Sequence, residues 1–173
     1  MPADPNPFGL GLKASENRLV DFDPLWARAF AEEAARIQNA VGPLALAIEH
    51  YGSTSVPGLR AKPIVDLLIG VADIGDGLKM IEPMERIGYD YATNHGIPAH
   101  HIFGRPSVRE YLAHVVVYEG DQWRRSLRFR DRLRDDIEVR AAYQALKEQL
   151  ATAGLSRAAY TEGKAEFVLA NCG

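Results

Sequence analysis

Apolar residues first recur at helical spacing between residues 24 and 41. Leu25, Trp26, Ala29, Phe30, Ala34 and Ile37 fall on one face of a 3.6-residue period. Asp23 is a natural N-cap, Pro24 suits the first helical position, and Gly42-Pro43 ends the run. The period then changes. "LALAIEHYG" reads as a short strand bounded by Pro43 and Gly52, and "KPIVDLLIGV" as a buried strand of nearly continuous Ile, Val and Leu. "GDGLKMIEPMERIG" predicts a helix that Pro83 kinks or delays. "YDYAT" predicts a strand, the loop-rich "NHGIPAHHIFGRPSVRE" a short strand at His101–Phe103, and "EYLAHVVVYEG" another strand. Helical spacing returns in "DQWRRSLRFRDRLRDD", in "IEVRAAYQALKEQLATAG" stopped by Gly154, and in "SRAAYTEGKAEFVLANCG" capped by Ser156.

A helix, then mixed strands, then a helical tail predicts an α+β class, or α/β with a small mixed sheet. Residues 1–17 are rich in Pro, Gly and Asn and read as a flexible lead-in. Residues 18–173 then form a single domain, which the length of 173 residues accommodates. Composition adds only exclusions. Hydrophobic residues make up 47% and charged residues 25%, as in ordinary globular proteins. The net charge of −3 provides no global field for nucleic acid or an anionic membrane. The single cysteine, Cys172, excludes a disulfide framework within the chain and a multi-cysteine zinc site. No secretory pattern opens the chain and no apolar stretch is long enough to span a bilayer, so a cytoplasmic protein is expected. No exposed apolar stripe stands out to define an oligomeric state.

The chemistry concentrates in "HYGSTSVPGLRAKPIVDLL". Asp66 lies inside an apolar run, where an unpaired carboxylate costs several kcal/mol. It is therefore either a structural hydrogen-bonder or a ligand for a cation. A strand, Gly52-Ser53, twelve residues, then Asp66 on the next strand is a recognisable arrangement. Gly52 permits a sharp turn with close backbone approach to a ligand. Ser53 and Thr54 offer hydroxyls to phosphate oxygens, and Ser55 can cap a helix start. Asp66 would hold Mg²⁺ together with substrate phosphates. The alternative is a plain strand-to-helix turn with Asp66 bonded to nearby backbone, and spacing alone leaves the two level.

Other candidates carry the same ambiguity. Lys62 can neutralise a phosphate chain or pair with an acid such as Asp66. His95, His100 and His101 share a loop with Arg105, either as acceptor-side bases or metal ligands or as solvated residues. His114 sits mid-strand, as a core residue or as a group beside the metal. "RRSLRFRDRLR" holds six arginines in eleven residues, with Arg124, Arg128 and Arg132 on one helical ridge and Arg130 and Arg134 on another. One ridge can reach back to phosphates near the Gly-Ser turn; most of these arginines fit a solvated, ion-paired face.

"VDFDPLW", "GSTSVPGLRAKPIVDLLIGV", "LRFRDRLRDD", "AAYQALKEQL" and "YTEGKAEFV" occur in one order over about residues 18–171. Together they resemble the GrpB-like family of the nucleotidyltransferase superfamily. The resemblance implies a nucleotidyltransferase-type core, a short mixed sheet flanked by helices with a helical C-terminal extension. It implies transfer of a nucleoside monophosphate from an NTP to a small-molecule acceptor, with Mg²⁺ or Mn²⁺. By this resemblance Gly52, Ser53, Thr54 and Ser55 hold phosphates, Asp66 holds the metal, and Lys62 and His114 join it in catalysis. Arg130, in the family-like Phe-Arg-Asp triplet, contacts the nucleotide; Tyr160 and Lys164 match positions behind the site or in helix packing.

The chain departs from the superfamily's Asp-x-Asp/Glu pair at Leu68, which shares a strand face with Asp66. Glu49 is a weak substitute. His114 is the metal-capable residue in the core of the later strand, and imidazole suits Mn²⁺ or Zn²⁺ better than Mg²⁺. A single nucleotide-bound cation is thus expected rather than two. The alternative function is a nucleotide- or CoA-type binding module with degenerate catalysis, since proteins of this family occur fused to dephospho-CoA kinase.

Overall fold

The structure, a computed structural model, describes residues 6–92 and 99–173. Strands β2 (Ala47–Tyr51), β3 (Val65–Val71), β4 (Asp90–Tyr91), β5 (His101–Gly104) and β7 (Tyr111–Val117) form one sheet in the order β2-β3-β7-β5-β4. Among the described residues the pair β3–β7 is parallel and the other pairings of this sheet are antiparallel. The sheet is mixed and flanked by helices, so the α+β class and the short mixed sheet read from the sequence both stand.

Strand alternation sorts side chains onto two faces. Val65, Leu67, Ile69 and Val71 of β3 face α1 (Leu25–Val41), α2 (Asp76–Lys79) and α3 (Ile81–Arg86), packing with Trp26, Ala29, Ile37, Met80 and Met84. Asp66 and Leu68 face the opposite way, toward α4 (Asp121–Asp135) and α5 (Ile137–Thr152). There Leu68, Val116 and Trp123 form a small apolar cluster. A third cluster joins Val56 and Leu59, just after the Gly-Ser turn, to Leu133 of α4 and Tyr143 of α5. The C-terminal helices are thereby anchored beside the turn.

Most elements follow from local pattern. The Asp23 carboxylate accepts from the Leu25 N–H at 2.9 Å, as its place before α1 predicts. Ser156 accepts from the Ala159 N–H at the start of α6 (Arg157–Glu162). Two expected helices are broken. The segment around Pro83 divides at Met80 into α2 and α3, because Pro83 has no N–H to give to residue 79. The last helix divides at Gly163-Lys164 into α6 and α7 (Ala165–Asn171). A Cβ at Gly163 would come within 2.7 Å of Leu150, so glycine allows α6 to lie close on α5.

Within residues 1–17, read as a lead-in, the described part packs against the domain. Leu10 and Leu12 are buried. Strand β1 (Leu12–Lys13) pairs with β6 (Val108–Arg109), and the Trp26 indole donates to the Phe8 carbonyl at 3.2 Å. The Gly and Asn content serves turns that tuck this segment under Pro63: Gly11 N–H donates to its carbonyl at 2.8 Å. No helix among the described residues is long and apolar enough to cross a membrane.

Candidate functional site

The site is built where β2 hands over to β3. Gly52 has φ +74° and ψ −177°, a conformation open essentially to glycine. A Cβ there would lie 2.5 Å from Asp66 Oδ2. The glycine thus both makes the turn and lets the backbone approach the carboxylate. Ser53–Ser55 follow as a single 3-10 turn, closed by the Ser55 hydroxyl and N–H donating to the Gly52 carbonyl at 2.6 and 3.2 Å. His50 Nε2 and Thr54 Oγ1 are 3.0 Å apart, and the His50 ring stacks on Phe30. Burial pushes His50 down to about 4, with Arg134 and Arg130 acting the same way against Asp66, so its ring is neutral at ordinary pH.

Ser53, Thr54 and Asp66 line one cavity of about 160 Å³; Ser55 is turned into the 3-10 turn. Leu112 of β7 is Asp66's neighbour in register and lines the cavity too. One step along, His114 stands beside Leu68. His114 Nε2 is 3.7 Å from Asp66 Oδ1, and its Nδ1 is 2.9 Å from His100 Nε2. One ring must donate and the other accept in that pair. The histidine loop read from sequence is split by strand alternation. His100 joins the Asp66 face, whereas His101 bonds Tyr91 and the Ile74 carbonyl on the other. Arg105 lies with Glu33 and Glu110, away from the cavity, and His95 falls outside the described residues.

Leu68 is fully buried under Val116 and Trp123 and offers no ligand. Glu49, opposite Leu68 in register, is held by Arg130 at 2.8 Å. Among the described residues no group of three or more His, Cys, Asp or Glu could hold a metal ion. The arginine ridge does reach the turn, but through its carbonyls. Arg130 also donates to the His50 carbonyl at 3.1 Å, and Arg134 donates twice to the Ser55 carbonyl at 2.9 and 3.1 Å. Arg130 does not line the cavity. Its place is that of a clamp between α4 and β2.

The cations that do line the cavity are Lys62, Arg109, Lys147, Arg157 and Lys164. Lys62 donates to Asn17 Oδ1 at 2.7 Å and sits 3.5 Å over the Tyr160 ring, with Lys164 at 4.8 Å from the same ring. Lys147 is 1% exposed, donates to Ser53 Oγ at 3.0 Å and caps the Arg60 carbonyl. Burial, then the charges of Lys164 and Arg157, lowers Lys62 to about 7. Burial and the charge of Lys164 likewise lower Lys147 to about 7. Burial also lowers Lys164. Desolvation leads in all three, and repulsion from neighbouring cations adds to it for Lys62 and Lys147.

Of the expected site residues, the fold brings together Gly52, Ser53, Thr54, Lys62, Asp66 and His114. Lys147, Arg109 and Arg157 escaped the sequence reading. The signal for Lys147 is its spacing from Tyr143: a lysine on the buried stripe of an amphipathic helix. Arg109 and Arg157 carry no comparable local signal.

Known proteins resemble this chain over most of its length. The family model described as GrpB protein matches residues 16–172. A UPF0157 protein of Halalkalibacterium halodurans is 40% identical over 136 residues, spanning 77% of this chain and 68% of that one. The crystal structure of the conserved protein GrpB from Enterococcus faecalis superposes with a TM-score of 0.75 at 31% identity, covering 88% of this chain and 98% of that one. A dephospho-CoA kinase of Mycolicibacterium paratuberculosis is 35% identical over 75 residues, which are 42% of this chain and 18% of that protein. With the family model spanning nearly all of the sequence, the chain belongs to the GrpB family.

Proposed function

We propose that this protein binds a phosphorylated small molecule, a nucleotide or CoA-type ligand, in the cavity between the Gly52–Ser55 turn and the C-terminal helices. The observation that carries the reading is the lining itself: five cationic side chains and four hydroxyl-bearing ones share it with one carboxylate. Phosphate is the anion such a wall fits, through charge-assisted hydrogen bonds. The partial likeness to a dephospho-CoA kinase supports a CoA-type ligand as one member of the class.

A second reading, transfer of a nucleoside monophosphate from an NTP to an acceptor, rests on Asp66 and His114 standing beside the same cavity. The residues fit one Mn²⁺, or one Mg²⁺ carried in by the ligand's phosphates, with Asp66 as carboxylate ligand and His114 beside it. They do not fit a two-cation arrangement, because Leu68 is buried and Glu49 is engaged by Arg130. A bound cation would offset charge on the phosphates. His114 Nε2, its ring oriented by His100, would take the proton from an acceptor hydroxyl.

The test is a thermal-shift screen of the four NTPs and CoA, each with Mg²⁺, with Mn²⁺ and with no metal. Binding raises the melting temperature by mass action. Asp66→Asn should remove the metal-dependent part of the shift; an unchanged shift refutes the metal role. Release of pyrophosphate from an NTP would establish transfer over binding alone.

A further inference from the structure

The cavity is small for the ligands it is read to take. Its volume of about 160 Å³ falls below the roughly 300–1,000 Å³ of pockets that enclose a whole organic ligand. A nucleoside or an acyl chain has no room beside a phosphate chain. The space is of the size of a phosphate chain alone.

The cations are also held in place without a ligand. They come from five separate segments: Lys62 before β3, Arg109 on β6, Lys147 on α5, Arg157 on α6 and Lys164 at the start of α7. Lys62 is tied to Asn17, Lys147 to Ser53 and the Arg60 carbonyl, and Arg157 donates to the Lys13 carbonyl at 2.7 Å. Tyr160 lies beneath both Lys62 and Lys164. Preorganisation removes much of the ordering cost of binding. A phosphate chain in the cavity draws protons onto Lys62 and Lys147, and five cations against Asp66 alone then leave an excess positive charge that one phosphate does not balance and a di- or triphosphate does.

We propose that the cavity recognises a terminal di- or triphosphate by charge and length alone, without a metal ion and without reading the organic group attached to it. The proposal rests on the phosphate-binding reading above and names the part of the ligand that is bound. The protein's own lysines and arginines neutralise the phosphate chain, and the base or acyl portion stays outside the cavity. A cation at Asp66 then belongs to a later step, not to capture.

Isothermal titration of the full chain in excess EDTA tests this, with orthophosphate, pyrophosphate, tripolyphosphate, ATP and UTP as probes. Pyrophosphate and tripolyphosphate should bind at least about tenfold more tightly than orthophosphate, and ATP and UTP within about threefold of each other. Lys164→Met and Arg157→Met should each weaken pyrophosphate by about tenfold, with folding confirmed by circular dichroism; two variants guard against one failing to fold. Binding of pyrophosphate only when Mg²⁺ is present overturns the proposal. So does ATP binding in EDTA while pyrophosphate does not, which leaves the phosphorylated-ligand reading standing. Failure of every phosphate compound with and without metal overturns that reading as well.

Discussion

Lys147 makes the stability of this protein depend on pH in an unusual direction. In the folded chain burial, reinforced by Lys164, holds its ammonium at about 7, whereas an unfolded chain keeps a lysine near its ordinary value of about 10.4. Between these values the unfolded chain carries a proton that the folded chain has released. Stability therefore rises with pH from about 7 upward, the reverse of what a salt-bridged lysine does. The slope for one such group approaches about 1.4 kcal/mol per pH unit. Over the interval from about pH 7 to about pH 8.5 Lys147 alone contributes roughly 2 kcal/mol. For a chain of this size that is a rise of roughly 4–8 °C in melting temperature. Lys62 is displaced to about 7 in the same direction and steepens the wild-type slope. Lys147→Met keeps the side chain's length and removes its proton, so it should flatten the dependence partly, and the double variant with Lys62→Met almost wholly. Urea unfolding at constant ionic strength across that pH interval measures it. A wild-type stability that is flat or falling there, or a Lys147→Met slope equal to the wild type, refutes the reasoning.

Three further substitutions probe the architecture around the cavity. Gly52→Ala places a Cβ 2.5 Å from Asp66 Oδ2 at a backbone conformation that costs a non-glycine residue about 1–3 kcal/mol. It should lower the urea midpoint and abolish any Mn²⁺-dependent thermal shift. Leu68→Asp puts a second carboxylate on the Asp66 face of β3 but buries it against Val116 and Trp123; a loss of at least about 3 kcal/mol is expected in denaturant unfolding, and a neutral outcome would show that this face is open to water. Arg134→Ala leaves the Ser55 carbonyl without its two donors and should destabilise by about 1–2 kcal/mol, with increased hydrogen exchange at the Ser53–Ser55 turn.

The secondary structure was legible because its causes are local. The apolar period along residues 25–41, the Ile/Val/Leu run of β3 and the caps at Asp23 and Ser156 act within a few residues of themselves. The Gly52-Ser53 turn and Asp66 were legible for a related reason: a glycine at a strand end and a carboxylate in an apolar run are anomalies of composition at one place. Leu68 was equally readable as a missing ligand, and its burial under Trp123 follows from that apolar character. The site's electrostatics were not local. Arg130 read as the ligand contact of a charged helix face, and packing of α4 against the turn sets its guanidinium group, and that of Arg134, on Glu49 and on backbone carbonyls. The split of His100 from His101 needed only strand alternation, but the strand's start had to be known to the residue.

Residues 18–173 by their order of apolar and polar positions determined an α+β chain with a Gly-Ser turn and a lone carboxylate. Only the tertiary structure decided what faces them. Lys62, Arg109, Lys147, Arg157 and Lys164 span 103 positions of sequence, and no local rule relates them. They meet because three C-terminal helices fold back over the β2–β3 turn and because residues 10–17 hold the far wall. Charge acts through space over a Debye length of about 8–10 Å, so the character of this cavity was set by which distant segments the core brought within that range.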